Sequence, residues 1–426
     1  MNYFEYLHLN KVSTKQGVSI IHKFIDNLPS LKNAQEPYPT SLRIINWTKF
    51  LVLREIKDKR IDEALFRQTL QLSERLEYHI LGNHLLENGF ALFFAAYYFQ
   101  YAPFYELAKQ ILVPELEEQI LADGGHFERS PMYHQLMLFR VLDCINLATE
   151  NPSFDDKLNQ VLLDKAAMML GWLEQMTFKG GQIPHFNDST SNINPTSQEL
   201  FDYANRLEIP EYPIALGESG YRRVEAGDME LIADVGKIGP DYLPGHSHND
   251  ILSFVLYKAG KPFLVDTGTS TYEIGERRQT ERSTEAHNTV QVDGKEQSET
   301  WAGFRVARRS YPNVLKDESE HLEAELVHFS KQYRHKRTFR VKEKAILIND
   351  VVKGSKSKAF LHFHPDVDVL AFENGVITTS FGSIQLRGGV NHVETTTYQY
   401  AYTFNEYRVG MKCIIQFSGT LQVVII

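Results

Sequence analysis

A chain of 426 residues with 54 acidic against 45 basic side chains, formal net charge −9, lacks the basic excess with which nucleic-acid binders neutralise phosphates. Cys144 and Cys413 are its only cysteines, so neither a disulfide framework nor cysteine-rich zinc spacing is present. No stretch approaches the roughly 18 apolar residues that a membrane span requires.

The length predicts two domains. The 21 Tyr and 26 Phe run high, which suits planar-faced ligands such as sugars but weighs more toward ordinary core and sheet packing. The N-terminal "MNYFEYLHLNKVSTKQGVSI" has no basic start followed by an apolar run, so no secretory signal is expected in this chain. From about residue 41 to 177 apolar residues recur at helical spacing: "SLRIINWTKFLVLREIKD", "IDEALFRQTLQLSERLEYHIL", "ENGFALFFAAYYFQYA", "FYELAKQILVPELEEQILAD", "MYHQLMLFRVLDCINLATE" and "FDDKLNQVLLDKAAMMLGWLEQMT". Short breaks between them predict antiparallel helical hairpins.

Between residues 187 and 217 the texture becomes loop-like, with Pro and Gly punctuation. Beyond it the period is two, in segments such as "ILSFVLYKAGKPFLVDTG", "HKRTFRVKEKAILINDVV" and "KCIIQFSGTLQVVII". Gly260-Lys261, Asp293-Gly294 and Asn374-Gly375 read as hairpin turns. About a dozen strands with no intervening helix pattern predict a large antiparallel sandwich. The expected division is therefore an α domain over 1–210 and a β domain over 211–426.

Four places offer chemistry. "GNHLLENGFAL" sets Asn83, His84, Glu87 and Asn88 beside a helical apolar run, where Asn serves equally as a helix cap. "GGHFERSPMYHQL" reads as a helix start, with Ser130 as cap and Pro131 at the first helical position. Tyr133 then falls in the first turn, where the helix dipole favours anions, unless it simply packs there. "PGHSHNDILSF", "FLVDTGTS" and "STEAHNTVQVDG" carry His246, His248, Asp266 and His287, donors of the kind zinc takes, on apparent consecutive strands. Histidines at i and i+2 of a strand face one side. Arg222-Arg223, Arg277-Arg278 with Arg282, Arg305 with Arg308-Arg309, and the run Arg334 to Arg340 are either solvated strand faces or local sites for carboxylate or sulfate.

Taken together, "EPYPTSLRIINW" (36–47), "GNHLLENGFAL" (82–92), "DGGHFERSPMYH" (123–134), "IPHFNDS" (183–189), "GHSHNDILSF" (245–254), "FLVDTGTSTY" (263–272), "RSTEAHNTVQVDG" (282–294), "WAGFRVARR" (301–309) and "LHFHPDV" (361–367) resemble the heparinase II/III-like polysaccharide lyases. The resemblance implies an incomplete α/α toroid, its N-terminus shortened, followed by a large antiparallel β-sandwich. It also implies cleavage of a uronic-acid polysaccharide by β-elimination. The polymer implied is of heparin or heparan type, or a bacterial surface polysaccharide.

By that resemblance Asn83, with His84 as the other candidate, neutralises the uronate carboxylate, Tyr133 is the proton donor and a candidate for the base, and His246 is the sandwich histidine of the site. His84, Glu128, Arg278, Arg282 and Arg305 are candidate substrate contacts. His248, Asp266 and His287 correspond to ligands of a structural Zn²⁺, and no organic cofactor is implied. A lyase for alginate or another unsulfated uronate polymer, and a non-catalytic polysaccharide-binding protein, are the alternatives. Relatives act in the periplasm or outside the cell, whereas a chain without a signal points to the cytoplasm. The oligomeric state is left open.

Overall fold

A computed structural model describes residues 2–154 and 156–426; Met1 and Asp155, the latter inside the last expected helix, lie outside the described residues. The chain divides into two compact units. One comprises Met1–Gln119, Met137–Ala167 and Tyr203–Ile209, the other Ile120–Leu136, Met168–Asp202 and Pro210–Ile426. The domains expected from the change of period are contiguous, whereas these units interleave along the sequence.

Among the described residues the helices before residue 210 are α1 (Thr14–Asn27), α2 (Pro37–Leu53), α3 (Lys59–Ser73), α4 (Gly82–Phe99), α5 (Ala102–Gln119), α6 (Pro131–Glu150), α7 (Asp156–Met176) and α8 (Ser197–Arg206). All six expected helices are present; α1 and α8 were not foreseen. α4 is largely apolar, polar only toward its start, and is buried along nearly its whole length, the pattern of a helix packed on all sides. Two of its polar residues have internal partners in the first unit. Glu87 Oε1 accepts from Arg140 Nε at 3.0 Å. Asn88 Nδ2 donates to Ser41 Oγ at 3.0 Å and to Glu77 Oε2 at 2.9 Å.

In the second unit four strands, β1 (Tyr221–Ala226), β2 (Met229–Asp234), β3 (Phe254–Lys258) and β4 (Lys261–Leu264), form one antiparallel sheet in chain order. Then come α9 (Glu276–Glu281), β5 (Val290–Val292), and the two-stranded ribbon β6 (Glu299–Trp301) and β7 (Arg305–Ala307). The remaining strands are β8 (Tyr311–Glu318), β9 (His321–Val327), β10 (Arg334–Lys342), β11 (Ala345–His362), β12 (Val369–Glu373), β13 (Val376–Thr379), β14 (Ser383–Thr403) and β15 (Glu406–Ile425). They form a second antiparallel sheet in the order β12-β13-β14-β15-β11-β10-β9-β8, with β5 pairing β11.

Side-chain alternation explains how the first sheet is buried on both faces. Leu231, Ala233, Phe254 and Leu256 pack into one core with Phe339, Ile348, Leu361, Ile415 and Phe417 of the large sheet. The alternate residues Ile232, Val255 and Tyr257 pack against Trp172, Met176, Phe178 and Phe186. The fold class expected from the sequence, helical hairpins followed by an antiparallel β-sandwich, is the one found.

One hairpin is displaced by a residue. Lys258 pairs with Lys261, so the two-residue turn is Ala259-Gly260, not Gly260-Lys261, and both turn residues have positive φ (51° and 72°) as a type I′ turn demands. Arg337 lies in the stretch read as a basic cluster but is buried. It is paired with Asp350 and donates to the carbonyls of Leu252 (2.7 Å) and Asn288 (2.6 Å). It thereby pins the loop 245–253 that enters β3.

Candidate active site

α6 starts as the sequence predicts: Ser130 Oγ accepts from Tyr133 N at 3.2 Å. Ser189 Oγ accepts from Met132 N at 3.3 Å, so both first-turn amides are already bonded within the protein. The cap is itself held, since Ser130 Oγ donates to the Asp188 carbonyl at 2.7 Å. Arg129 and Asn187, the residues before Ser130 and Asp188, both have positive φ (58° and 54°), a conformation uncommon outside glycine. They interlock through Asn187 Nδ2, which donates to the Arg129 carbonyl at 3.1 Å.

This places the Tyr133 ring against the His246 ring, centroids 4.2 Å apart. The Tyr133 hydroxyl is 3.3 Å from that of Tyr272, and Phe304 flanks both the His246 and Tyr272 rings (5.5 and 5.3 Å). Burial, then the Tyr272 hydroxyl and the carboxylates of Asp188 and Glu128, push the Tyr133 phenol well above its ordinary pKa, so it stays protonated. His246 lies between two carboxylates. Its Nδ1 is 2.8 Å from Asp188 Oδ2, and its Nε2 is 3.6 Å from Glu128 Oε2. Burial alone would lower its pKa; Glu128 and Asp188 outweigh burial and raise it.

The His-x-His pair was expected on a strand, with both rings facing one side. It lies instead in the loop before β3, yet both rings do meet one carboxylate, because His248 Nε2 is 2.9 Å from Asp188 Oδ1. Burial holds His248 down to about 4, so the ring is neutral. Asp188 is itself fully buried. Its pKa, which burial would raise, is held well below the ordinary value by Arg278 and the two histidines.

Arg278 is fully buried, with Nη1 and Nη2 on the Asp188 oxygens and Nε donating to the Gly303 carbonyl at 3.0 Å. Arg282 is fully buried too, and donates to the carbonyls of Ser247 (3.0 Å) and Gly303 (3.3 Å). Arg305 is exposed on β7. Of the residues expected in substrate contact, the second unit therefore gathers Glu128 and Arg278 around Tyr133 and His246, engages Arg282 with backbone, and leaves Arg305 open.

In the first unit, Asn83 and His84 lie in the first turn of α4, which opens from Leu81 without a side-chain cap. Asn83 is nearly buried. His84 Nδ1 is 3.1 Å from Glu77 Oε1, and its ring lies 4.3 Å from that of Tyr38.

For the expected metal set, His287 Nδ1 is 2.7 Å from Asp266 Oδ2, and the His248 and His287 rings lie 5.4 Å apart. His248 Nδ1 and His287 Nε2 are buried and make no hydrogen bond. A buried polar atom without a partner invites a ligand, and imidazole nitrogens are donors that zinc accepts. Among the described residues, however, no group of three or more His, Cys, Asp or Glu is arranged to hold a metal ion. The donors suit zinc in kind without being gathered around a common point. Also among the described residues, no helix is long and apolar enough to cross a membrane.

Asp188, Tyr272 and Phe304 join the site without having been singled out. All three stand inside segments that carried the resemblance, "IPHFNDS", "FLVDTGTSTY" and "WAGFRVARR", and that was their only sequence signal.

Residues 42–207 match the family described as heparinase II/III N-terminus, and residues 208–423 the heparinase II/III-like C-terminal family. A heparin-sulfate lyase of Bacteroides stercoris is 26% identical over 255 residues, 52% of this chain and 37% of the relative. One from Bacteroides thetaiotaomicron is 27% identical over 303 residues, 60% of this chain and 41% of the relative. The chain thus spans well under half the length of these curated relatives. A crystal structure of heparinase III superposes with a TM-score of 0.78 at 17% identity, covering 97% of this chain and 73% of that one, a likeness of fold.

Proposed function

Because the chain belongs to the heparinase II/III family, we propose that it is a polysaccharide lyase that cleaves a 4-linked uronic acid polymer by β-elimination. The observation that carries this reading is the packing of a phenol held in its acid form against an imidazole flanked by carboxylates, Tyr133 on His246. Elimination needs a base for the proton at C5, an acid for the departing O4 and a stabiliser for charge growing on the adjacent carboxylate. His246 takes the C5 proton. The C–H electrons become the C4–C5 double bond, the C4–O4 bond breaks, and Tyr133 protonates the leaving oxygen. Asn83 is proposed as the amide that stabilises the carboxylate as it becomes enolate-like.

The names of the relatives favour a heparin or heparan-type substrate. A second reading, an unsulfated uronate polymer such as alginate, is favoured by one observation: of the three arginines expected in substrate contact, Arg278 and Arg282 have their donors engaged inside the protein and only Arg305 is exposed. A panel of heparan sulfate, heparin, alginate and unsulfated glucuronans, followed by the ultraviolet absorbance of the unsaturated uronate, separates the two. Retained binding with no absorbance on any polymer would instead mark a binding protein. Asn83→Ala is expected to lower kcat about 10²–10³-fold, the effect of deleting one donor to a developing oxyanion. An unchanged kcat would remove Asn83 from the reaction.

Zinc belongs to the same proposal, with His248, Asp266 and His287 as its ligands. When bound it would clamp the loops flanking β3, β4 and β5 and satisfy the two bare ring nitrogens. If it binds only the folded state at 100 to 1,000 times its dissociation constant, removal by a chelator lowers the melting temperature by roughly 3–5 °C. A metal-free protein by elemental analysis, with no change on adding zinc, would rule zinc out.

A further inference from the structure

We propose that Asp188 is a positioning residue, the carboxylate that orients both members of the histidine pair and sets the ring of His246 for the reaction. A buried carboxylate needs a counter-charge, and Arg278 alone meets that need. The geometry goes further, because each oxygen also has a histidine of its own. Oδ2 takes His246 Nδ1 at 2.8 Å and Oδ1 takes His248 Nε2 at 2.9 Å, with Thr269 Oγ1 donating to Oδ1 at 3.3 Å. Backbone contacts latch the same two segments: Asp188 N donates to the His246 carbonyl at 3.0 Å, and His248 N to Asn187 Oδ1 at 3.0 Å.

The carboxylate is thus fixed before it fixes anything else. Arg278 is anchored by the Gly303 carbonyl, and its guanidinium lies 5.2 Å from the Tyr272 ring centroid and 5.6 Å from that of Phe304. A carboxylate on one imidazole nitrogen determines which nitrogen carries the proton and how the ring is turned. With Asp188 on Nδ1, that nitrogen is the donor, and Nε2 is the atom left to work. Asp188 therefore acts through His246, and the Asn-Asp step at 187–188 belongs to the site although it need touch no sugar.

The rate readout of this proposal rests on the lyase reading; the spectroscopic one does not. In histidine-labelled protein, proton NMR is expected to show exchange-protected ring N–H signals downfield of the amides from His246 Nδ1 and His248 Nε2, beside those of other buried rings held by carboxylates, such as His287 on Asp266 and His335 on Asp350. His246→Gln and His248→Gln each assign their own signal by its loss. The double variant Asp188→Asn with Arg278→Gln removes both buried charges together and is expected to shift or abolish both signals. Its kcat is expected to fall about 10–100-fold with KM nearly unchanged, the usual effect of losing an orienting carboxylate. Asp188→Glu keeps the charge pair but moves the oxygens by one methylene, so it should keep the melting temperature and still lower kcat. Signals unmoved in the double variant, or a folded Asp188→Glu with wild-type kcat, would overturn the proposal. Wild-type protein that shows both signals but cleaves no uronate would leave Asp188 as the orienting carboxylate and overturn the lyase reading alone.

Discussion

Tyr133→Phe is expected to cut formation of unsaturated product by about 10²–10⁴-fold, the range for removing a general acid. The variant should keep the wild-type melting temperature. Its helix cap runs through the backbone, where Tyr133 N donates to Ser130 Oγ, and the ring contact with His246 survives loss of the hydroxyl. What disappears is the proton that burial and the neighbouring carboxylates hold on the phenol, together with the 3.3 Å contact to Tyr272. Steady-state rates and a thermal melt check both halves. A Tyr133→Phe enzyme with near-wild-type rate would remove Tyr133 from the chemistry.

Arg278→Met is expected to destabilise the protein by about 3–5 kcal/mol, the cost of leaving one member of a buried ion pair without its partner. Asp188 would then be a buried carboxylate with only imidazoles and a hydroxyl around it. Denaturant unfolding of Arg278→Met measures the loss. The outcome also decides between two roles for this arginine. A residue that reads substrate would raise KM and leave stability alone, whereas the buried geometry predicts lost stability first. An unfolding free energy within about 1 kcal/mol of wild type, less than a buried pair is worth, would contradict the assignment of Arg278 to the interior.

Local physics made much of the fold legible. The largely apolar α4 and the Ser130-Pro131 start of α6 are local signals, and both held. The period-two stretches became strands, as in β10 and β11, which pair continuously from His335 with Val352 to Lys342 with Ala345. Weaker patterns were missed. α1 has its capping box at Ser13 and Gln16 but few buried residues, and α8 hides behind a polar loop. β14 spans Ser383–Thr403, longer than its sequence pattern alone supports. Its later residues are largely exposed polar ones held by pairing with β15, a partner no window of sequence can reveal.

The site follows the same division. The types and places of Tyr133, His246 and His248 were readable, but not that one carboxylate joins the two histidines. Asp188 is 58 residues from His246 and 90 from Arg278, and only folding brings the three together. The arginines mislead for the related reason that composition cannot tell a solvated guanidinium from a buried one. Arg282 and Arg305 look alike in sequence, yet one is fully buried and the other exposed.

The central claim is elimination at a uronate, and product analysis of a uronic acid polymer digested by the wild-type protein in heavy-oxygen water tests it most directly. The account predicts a new end that absorbs in the ultraviolet, is lighter by one water than the hydrolysis product and has taken up no oxygen from solvent. A saturated end bearing solvent oxygen would contradict it.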